Sequence, residues 1–292
     1  MEDARLAALR RCAGLPNSAT LEAMIANSRI QGGRLATAQG ALNKVPEITA
    51  VFWVIKVLTT GMGEALSDFL LNGGTGVPGL GLVGTLVLDA AIFVTALVLQ
   101  FSVRRYMAWV YWFAVVAVSV FGTVASDVVA YVVGVPLWAV STLYAGILAM
   151  IFVVWYMSEK TLSIHAINTW RREAFYWATV FFTFAMGTAL GDLTAVPLKL
   201  GFLASGIMFG ALIAVPWIAH RRFGLNAIAA FWSAYVVTRP LGASFADWFG
   251  ASHERTGLGL GFGWVALVMT VLIVVFVGYS AMNQNAAPKL GS

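Results

Sequence analysis

The sequence predicts an all-α, polytopic integral membrane protein with about eight transmembrane helices, arranged as four parallel two-helix repeats. Three observations predict this: the apolar share of the chain, the length of its apolar stretches, and a motif that recurs four times. Of the 292 residues, 60% are hydrophobic and 11% charged, with a mean hydropathy of +0.84. A soluble domain carries about 25% charged residues, so a water-soluble fold is excluded. Apolar stretches long enough to cross a bilayer, roughly 20 residues, occur near 47–71, 79–101, 107–133, 136–157, 172–195, 198–219, 224–249 and 258–280. Between them stand chain breakers such as Asn72-Gly73-Gly74-Thr75-Gly76-Val77-Pro78, Gly134-Val135-Pro136 and Ala195-Val196-Pro197. These supply backbone freedom or remove an amide donor.

The recurring motif sets the architecture. Phe52-Trp53, Tyr111-Trp112, Tyr176-Trp177 and Phe231-Trp232 are each followed, ten residues from Trp, by Gly63, Gly122, Gly187 and Gly242. Five residues further on come Asp68, Asp127, Asp192 and Asp247. The motif glycines are 59, 65 and 55 residues apart, which is two spans per repeat, so the four motif helices run in the same direction. Inverted-repeat transporters differ in this respect. The expected organisation is an N-terminal extension over 1–44, repeats at 45–102, 103–158, 159–222 and 223–282, and a tail at 283–292.

Charge placement gives a topology. The net charge of +5 does not form a continuous basic face, so no nucleic acid partner is expected. Arg104, Arg105, Lys160, Arg171, Arg172, Arg221 and Arg222 fall in the loops after helices 2, 4 and 6, against Lys199 and Arg255 in the opposite loops. The positive-inside rule then places both termini in the cytoplasm. The extension carries five arginines and no compact apolar core of a secretory signal; a loosely ordered tail is expected, with a short amphipathic turn over Leu21–Ile25 at the membrane surface as the alternative. Cys12, the single cysteine, lies outside the spans and excludes an intramolecular disulfide.

Carboxylates inside apolar helices are costly and face a bundle interior or a water-filled cavity. Each motif Asp follows its Trp by 15 residues, about 22 Å along a helix at 1.5 Å per residue, and so lies towards the outer half of the bilayer. Steps of four back from each Asp give Glu64, Thr60 and Lys56; Thr123 and Ser119; Thr188; and Arg239 with Tyr235. Residues four apart share a face, so a polar stripe leads to each acid. Lys56 and Arg239 are the intramembrane cations, against Glu64, Asp68, Asp89, Asp127, Asp192 and Asp247. Two cations cannot neutralise six acids; the surplus must be protonated, hydrated or matched by a bound cation. Asp89, without counterparts in the other repeats, is left either inside or outside the site.

The expected ion or substrate site therefore comprises Glu64, Asp68, Asp127, Asp192, Asp247, Lys56, Arg239, Thr60, Thr123 and Thr188. Glu64 and the four aspartates are also the candidate metal ligands. Oxygen-rich clusters suit Mg²⁺, Ca²⁺ or Mn²⁺, while the absence of His and Cys from the spans disfavours copper and zinc. No cofactor is expected beyond such a divalent cation. Trp53, Trp112, Trp177 and Trp232 have two readings, as anchors and packing or as the aromatic walls of a small-molecule pocket. The motif glycines read as close helix packing, and Pro240 as a kink serving either the substrate path or packing. An enzyme is not expected: His165, His220 and His253 lie in loops or at span edges, and no Ser-x-x-Lys, Gly-x-Ser-x-Gly or His-Glu-x-x-His pattern occurs.

Lys44-Val45-Pro46-Glu47 leading into Phe52-Trp53-Val54-Ile55-Lys56-Val57-Leu58-Thr59-Thr60 and Gly63-Glu64-x-x-x-Asp68, with the later copies, resembles the bacterial multi-pass membrane-anchored proteins defined by a tandem repeat of unknown function. The resemblance covers roughly residues 44 to 280 and implies the repeat and an inner-membrane location, with no substrate attached. A looser similarity, of acid-plus-Asp motifs, is to tandem-repeat cation exporters of the manganese and calcium type. Those have inverted halves and an acid pair in each motif, whereas here Glu64 gives such a pair in the first copy alone. The expected function is a proton-coupled cation transporter in contact with the lipid bilayer. A non-transporting scaffold or sensor and an aromatic-lined small-molecule carrier are the alternatives.

Overall fold

In a computed structural model of the chain, residues 27, 43–74 and 76–286 are described. The expected features of the extension, Cys12 and the turn over Leu21–Ile25 among them, lie outside these residues, as does the tail from 287. Within the unit Lys44–Ser292, eight long helices follow one another: α1 (Ala50–Asn72), α2 (Gly81–Ser102), α3 (Ala108–Asp127), α4 (Leu137–Glu159), α5 (Trp170–Ala195), α6 (Phe202–Phe223), α7 (Ala227–Gly250) and α8 (Phe262–Ala286). All but α7 are long and apolar enough to cross a membrane. Helix α7 carries Arg239, Pro240 and Asp247.

Local signals explain where the motif helices begin. Thr49, Thr169 and Asn226 cap α1, α5 and α7, accepting from the amides of Phe52, Arg172 and Ile228; each satisfies an amide that has no partner within the helix. The Gly-rich run after α1 contains a feature that composition alone did not suggest, a two-residue antiparallel ladder pairing Gly73 with Pro78 and Gly74 with Val77. Helix α3 was expected to run unbroken to 133. Its α-helical part ends at Asp127, and Val128–Val132 continue as a π-helical turn, a distortion frequent at functional sites.

The helices form two shells. Motif helices α1, α3, α5 and α7 make a closed ring in which each packs against the next and α7 packs back on α1. The remaining helices lie outside, α2 mainly on α3, α4 on α5, α6 on α7 and α8 on α1. Each outer helix thus covers the motif helix of the following repeat, and the last covers the first. Burial follows this division: 61%, 61% and 67% of the core windows of α1, α3 and α5 are buried, against 17%, 22%, 28% and 22% for α2, α4, α6 and α8. The outer helices expose side chains such as Val83, Val87, Met150, Val153, Ile207 and Val268, as a lipid-facing shell would.

Candidate functional site

The ring of motif helices has three layers along its axis. At the Trp end, Phe52, Tyr111, Trp112, Tyr176, Trp177, Trp232 and Tyr235 are all buried and pack into one aromatic core. The hydroxyls of Tyr111 and Tyr176 meet at 2.5 Å, and the Trp232 indole donates to the Leu162 carbonyl at 2.9 Å. Trp53 packs at the edge of this layer against Phe52 and Phe231. None of the four motif tryptophans lines the acid cavity described below. All four pack within or against this aromatic layer, and Trp232 and Trp53 each also line a separate recess.

Above that layer sits Lys56, 1% exposed, its ammonium 3.9 Å from the centre of the Phe184 ring and 4.2 Å from that of Tyr235. No hydrogen-bond acceptor reaches its Nζ, so the two aromatic faces are its main electrostatic partners. About two turns further along α1, at Glu64, lies a buried ion pair. The Arg239 Nη2 donates to Glu64 Oε2 at 2.8 Å, to the Thr188 hydroxyl at 2.6 Å and to the Thr123 hydroxyl. Its Nη1 donates to the Thr60 carbonyl at 2.9 Å. The side chains of Arg239 and Glu64 are 0% and 5% exposed, and Thr188 adds a hydroxyl bond to the same carboxylate oxygen at 3.3 Å. Such charge-assisted contacts are short and strong, and here they tie all four motif helices together. Thr60 itself uses its hydroxyl on the Val57 and Thr238 carbonyls, which holds α1 to α7.

The Asp end is open. Glu64, Asp68, Asp127, Asp192 and Asp247, one or two from each motif helix, line a single cavity of about 500 Å³. Its apolar lining is Leu71, Leu82, Val124, Val128, Val132 and Val196, and Asn72, Tyr131 and Arg255 complete it. Glu64 belongs to both layers: the Arg239 pair closes the floor of the cavity. Asp192 accepts from the Tyr131 hydroxyl at 2.7 Å. Asp247 is 5% exposed, and no side chain among the described residues offers its carboxylate a hydrogen bond or ion pair. The stripe expected from the sequence is therefore divided: Glu64 and the four aspartates share the cavity, Thr123, Thr188 and Arg239 form its floor, and Lys56 and Thr60 lie below. Asp89 is buried in α2 and does not line the cavity. Pro240 packs at the Gly187 surface of α5 and likewise lies away from it.

The candidate metal ligands, Glu64, Asp68, Asp127, Asp192 and Asp247, surround the cavity without closing on a point. Among the described residues no three His, Cys, Asp or Glu side chains are grouped so that they could hold a metal ion. The reason is geometric: each acid hangs from a different wall of an open ring, except the pair on α1.

A family model described as Repeat of Unknown Function (DUF347) matches residues 51–106, 110–161, 175–225 and 230–285. The chain belongs to this repeat family. No curated protein and no solved structure matches it. The four DUF347 copies are related in detail. In each, the motif Gly is where a side chain would strike the residue three before the motif Gly of the next copy: Gly63 meets Ser119, Gly122 meets Phe184, Gly187 meets Arg239, and Gly242 meets Thr60. The glycines are thus required by close helix approach, and the contact rule passes from the fourth copy to the first. The position after each Gly is Glu64, Thr123, Thr188 and Ala243. Two departures from the repeat, Glu64 and Arg239, find each other between the neighbouring helices α1 and α7.

Among the titratable residues of the cavity, Tyr131 and Arg255 lie outside the expected site. Tyr131 stands four residues after Asp127 on the π-helical turn, and a phenol in an otherwise apolar Val-Val-Ala-Tyr-Val-Val run was its signal. Arg255 lies on a short turn, His253–Arg255, after α7. No spacing in the sequence connects it to the acids.

Proposed function

We propose that this DUF347 chain is a proton-coupled membrane carrier of cations, of the bacterial inner membrane, with both termini in the cytoplasm and the acid cavity opening to the outer side. The observation that carries this reading is that Glu64 and all four motif aspartates converge on one cavity, closed below by the Arg239 pair and the aromatic layer. Acids kept for separate helix contacts would be scattered, each with its own partner. Here Asp68, Asp127 and Asp247 have no hydrogen-bond or ion-pair partner among the described side chains, and Arg255 is the one cation in the lining. Carboxylates so placed are protonated, hydrated or matched by a cation. Exchange between those conditions is the chemistry of a proton-coupled carrier. A site open at one end and sealed at the other has the form of one state of an alternating-access cycle.

The scaffold reading draws on a different observation, the Arg239–Glu64 pair, which is fully used in holding the helices together. That reading explains the floor but leaves the unpaired acids above it without a purpose. Reconstitution in vesicles with pH and cation flux recorded separates the two. The carrier reading expects flux in the wild type and its loss in an Asp127→Asn, Asp192→Asn double variant. Wild type and double variant behaving alike, with no flux in either, would overturn it.

A further inference from the structure

The geometry points to an organic polyamine, a chain of methylenes carrying two or more ammonium groups, as the ligand of the acid cavity. This inference rests on the carrier reading and names its substrate class.

Size is the first argument. The cavity volume of about 500 Å³ falls within the roughly 300–1,000 Å³ of small-molecule sites. A bare divalent ion needs oxygen ligands at about 2.0–2.6 Å, and among the described residues no group of three acids, histidines or cysteines approaches that arrangement. Wall chemistry is the second. Beside the acids the lining carries Leu82, Val124, Val128, Val132 and Val196, an apolar surface that favours methylenes and offers nothing to a hydrated metal ion. Charge is the third. Glu64 is matched by Arg239 and Asp192 is held by Tyr131, which leaves Asp68, Asp127 and Asp247 on three different helices. A single ammonium satisfies one of these; a molecule with several, spaced along a flexible apolar chain, satisfies two or three at once.

Asp247 makes the inference specific. It is 5% exposed, lines the cavity and has no partner among the described side chains. A carboxylate so deep costs several kcal/mol unless paired, and the position it faces is the one a ligand's ammonium would occupy. Tyr131, on the π-helical turn beside Asp127, is placed to orient Asp192 towards the same space.

The test uses the full chain, purified and reconstituted in lipid nanodiscs for binding and in vesicles for flux. Calorimetry with 1,4-diaminobutane and spermidine is compared with butylamine and with the chlorides of Mg²⁺, Mn²⁺ and Ca²⁺. The expected result is that the diamine and triamine bind at least about tenfold more tightly than the monoamine or any metal, a difference of about 1.4 kcal/mol. Asp247→Asn should lose that preference, and Val128→Phe, at a partly exposed position of the cavity wall and without altering charge, should weaken the amines; size-exclusion profiles establish that both variants are folded. Divalent ions bound and moved while the diamine neither binds nor competes would overturn the polyamine assignment and leave the carrier reading standing. Absence of flux for amines, metals and protons alike would overturn the carrier reading itself.

Discussion

Glu64 and Arg239 are two of the places where the four copies stop being equivalent, and their energetics follow from burial. Both charges are out of water, and Arg239 is bonded to groups on α1, α3 and α5. Removing one partner leaves the other charged, buried and alone, which typically costs about 3–5 kcal/mol. Arg239→Gln should therefore unfold at markedly lower temperature in detergent than the wild type. Adding Glu64→Gln to it should recover a large part of the loss, because no unpaired charge then remains; calorimetric or fluorescence melting of the wild type, the single variant and the double variant checks this. Tyr131 is different. It is 61% exposed, so Tyr131→Phe should leave stability within about 0.5 kcal/mol of wild type, while on the proposed carrier reading it should weaken cation flux by releasing Asp192.

At the level of helices, the motif glycines set how closely the ring can draw together. At Gly63 and Gly242 a methyl group would overlap Ser119 on α3 and Thr60 on α1, reaching backbone as well as side-chain atoms. Overpacking of this kind costs about 1–3 kcal/mol. Gly63→Val and Gly242→Val should each lower the melting temperature and reduce the yield of monodisperse protein. Gly146 on α4 supplies the contrast, since nothing lies within 4 Å of where its Cβ would be. Gly146→Ala should be neutral or stabilising by up to about 1 kcal/mol, the helix-propensity difference. The segment ahead of α1 makes a further inter-element tie: Lys44 meets the buried Glu173 of α5 at 2.5 Å, and Gln100 of α2 donates to the same carboxylate at 2.9 Å. Lys44→Met leaves Glu173 with the amide alone, and a fall in melting temperature comparable to that of Arg239→Gln is expected, reduced somewhat by the 12% exposure of Lys44.

Across the whole molecule, the open Asp end and the aromatic Trp end predict an asymmetric accessibility. In a Cys12→Ser background, a cysteine at Asp68 should react readily with a charged methanethiosulfonate reagent added to the protein in detergent. A cysteine at Lys56, below the ion pair and against Phe184 and Tyr235, should react at least about tenfold more slowly, because reagent and water are excluded from the packed interior. Equal reactivity at both positions would mean that the lower layer is not sealed. Each outer helix rests mainly on the motif helix of the next copy, with α8 closing onto α1. Deletion of a single copy should consequently disrupt its neighbours on both sides and give no folded three-copy protein, to be read from size-exclusion behaviour.

The sequence by itself determined the helical class, the eight long helices, the four tandem copies and the placement of an acid on each motif helix. Those follow from hydropathy and spacing, which are local. It also identified the glycines as packing positions, since small residues at a fixed offset have few other uses in apolar helices. Only the tertiary structure decided which members of the polar stripe share a space. Thr60 and Lys56 are on the same helix as Asp68, yet the first bonds backbone across to α7 and the second faces two aromatic rings. Arg255 joins the acids from a loop with no periodic relation to them. The ring of helices made that decision: a residue's partners are set by how far along the axis it sits and by which neighbour the motif glycines draw close, and neither is written in the spacing of one helix.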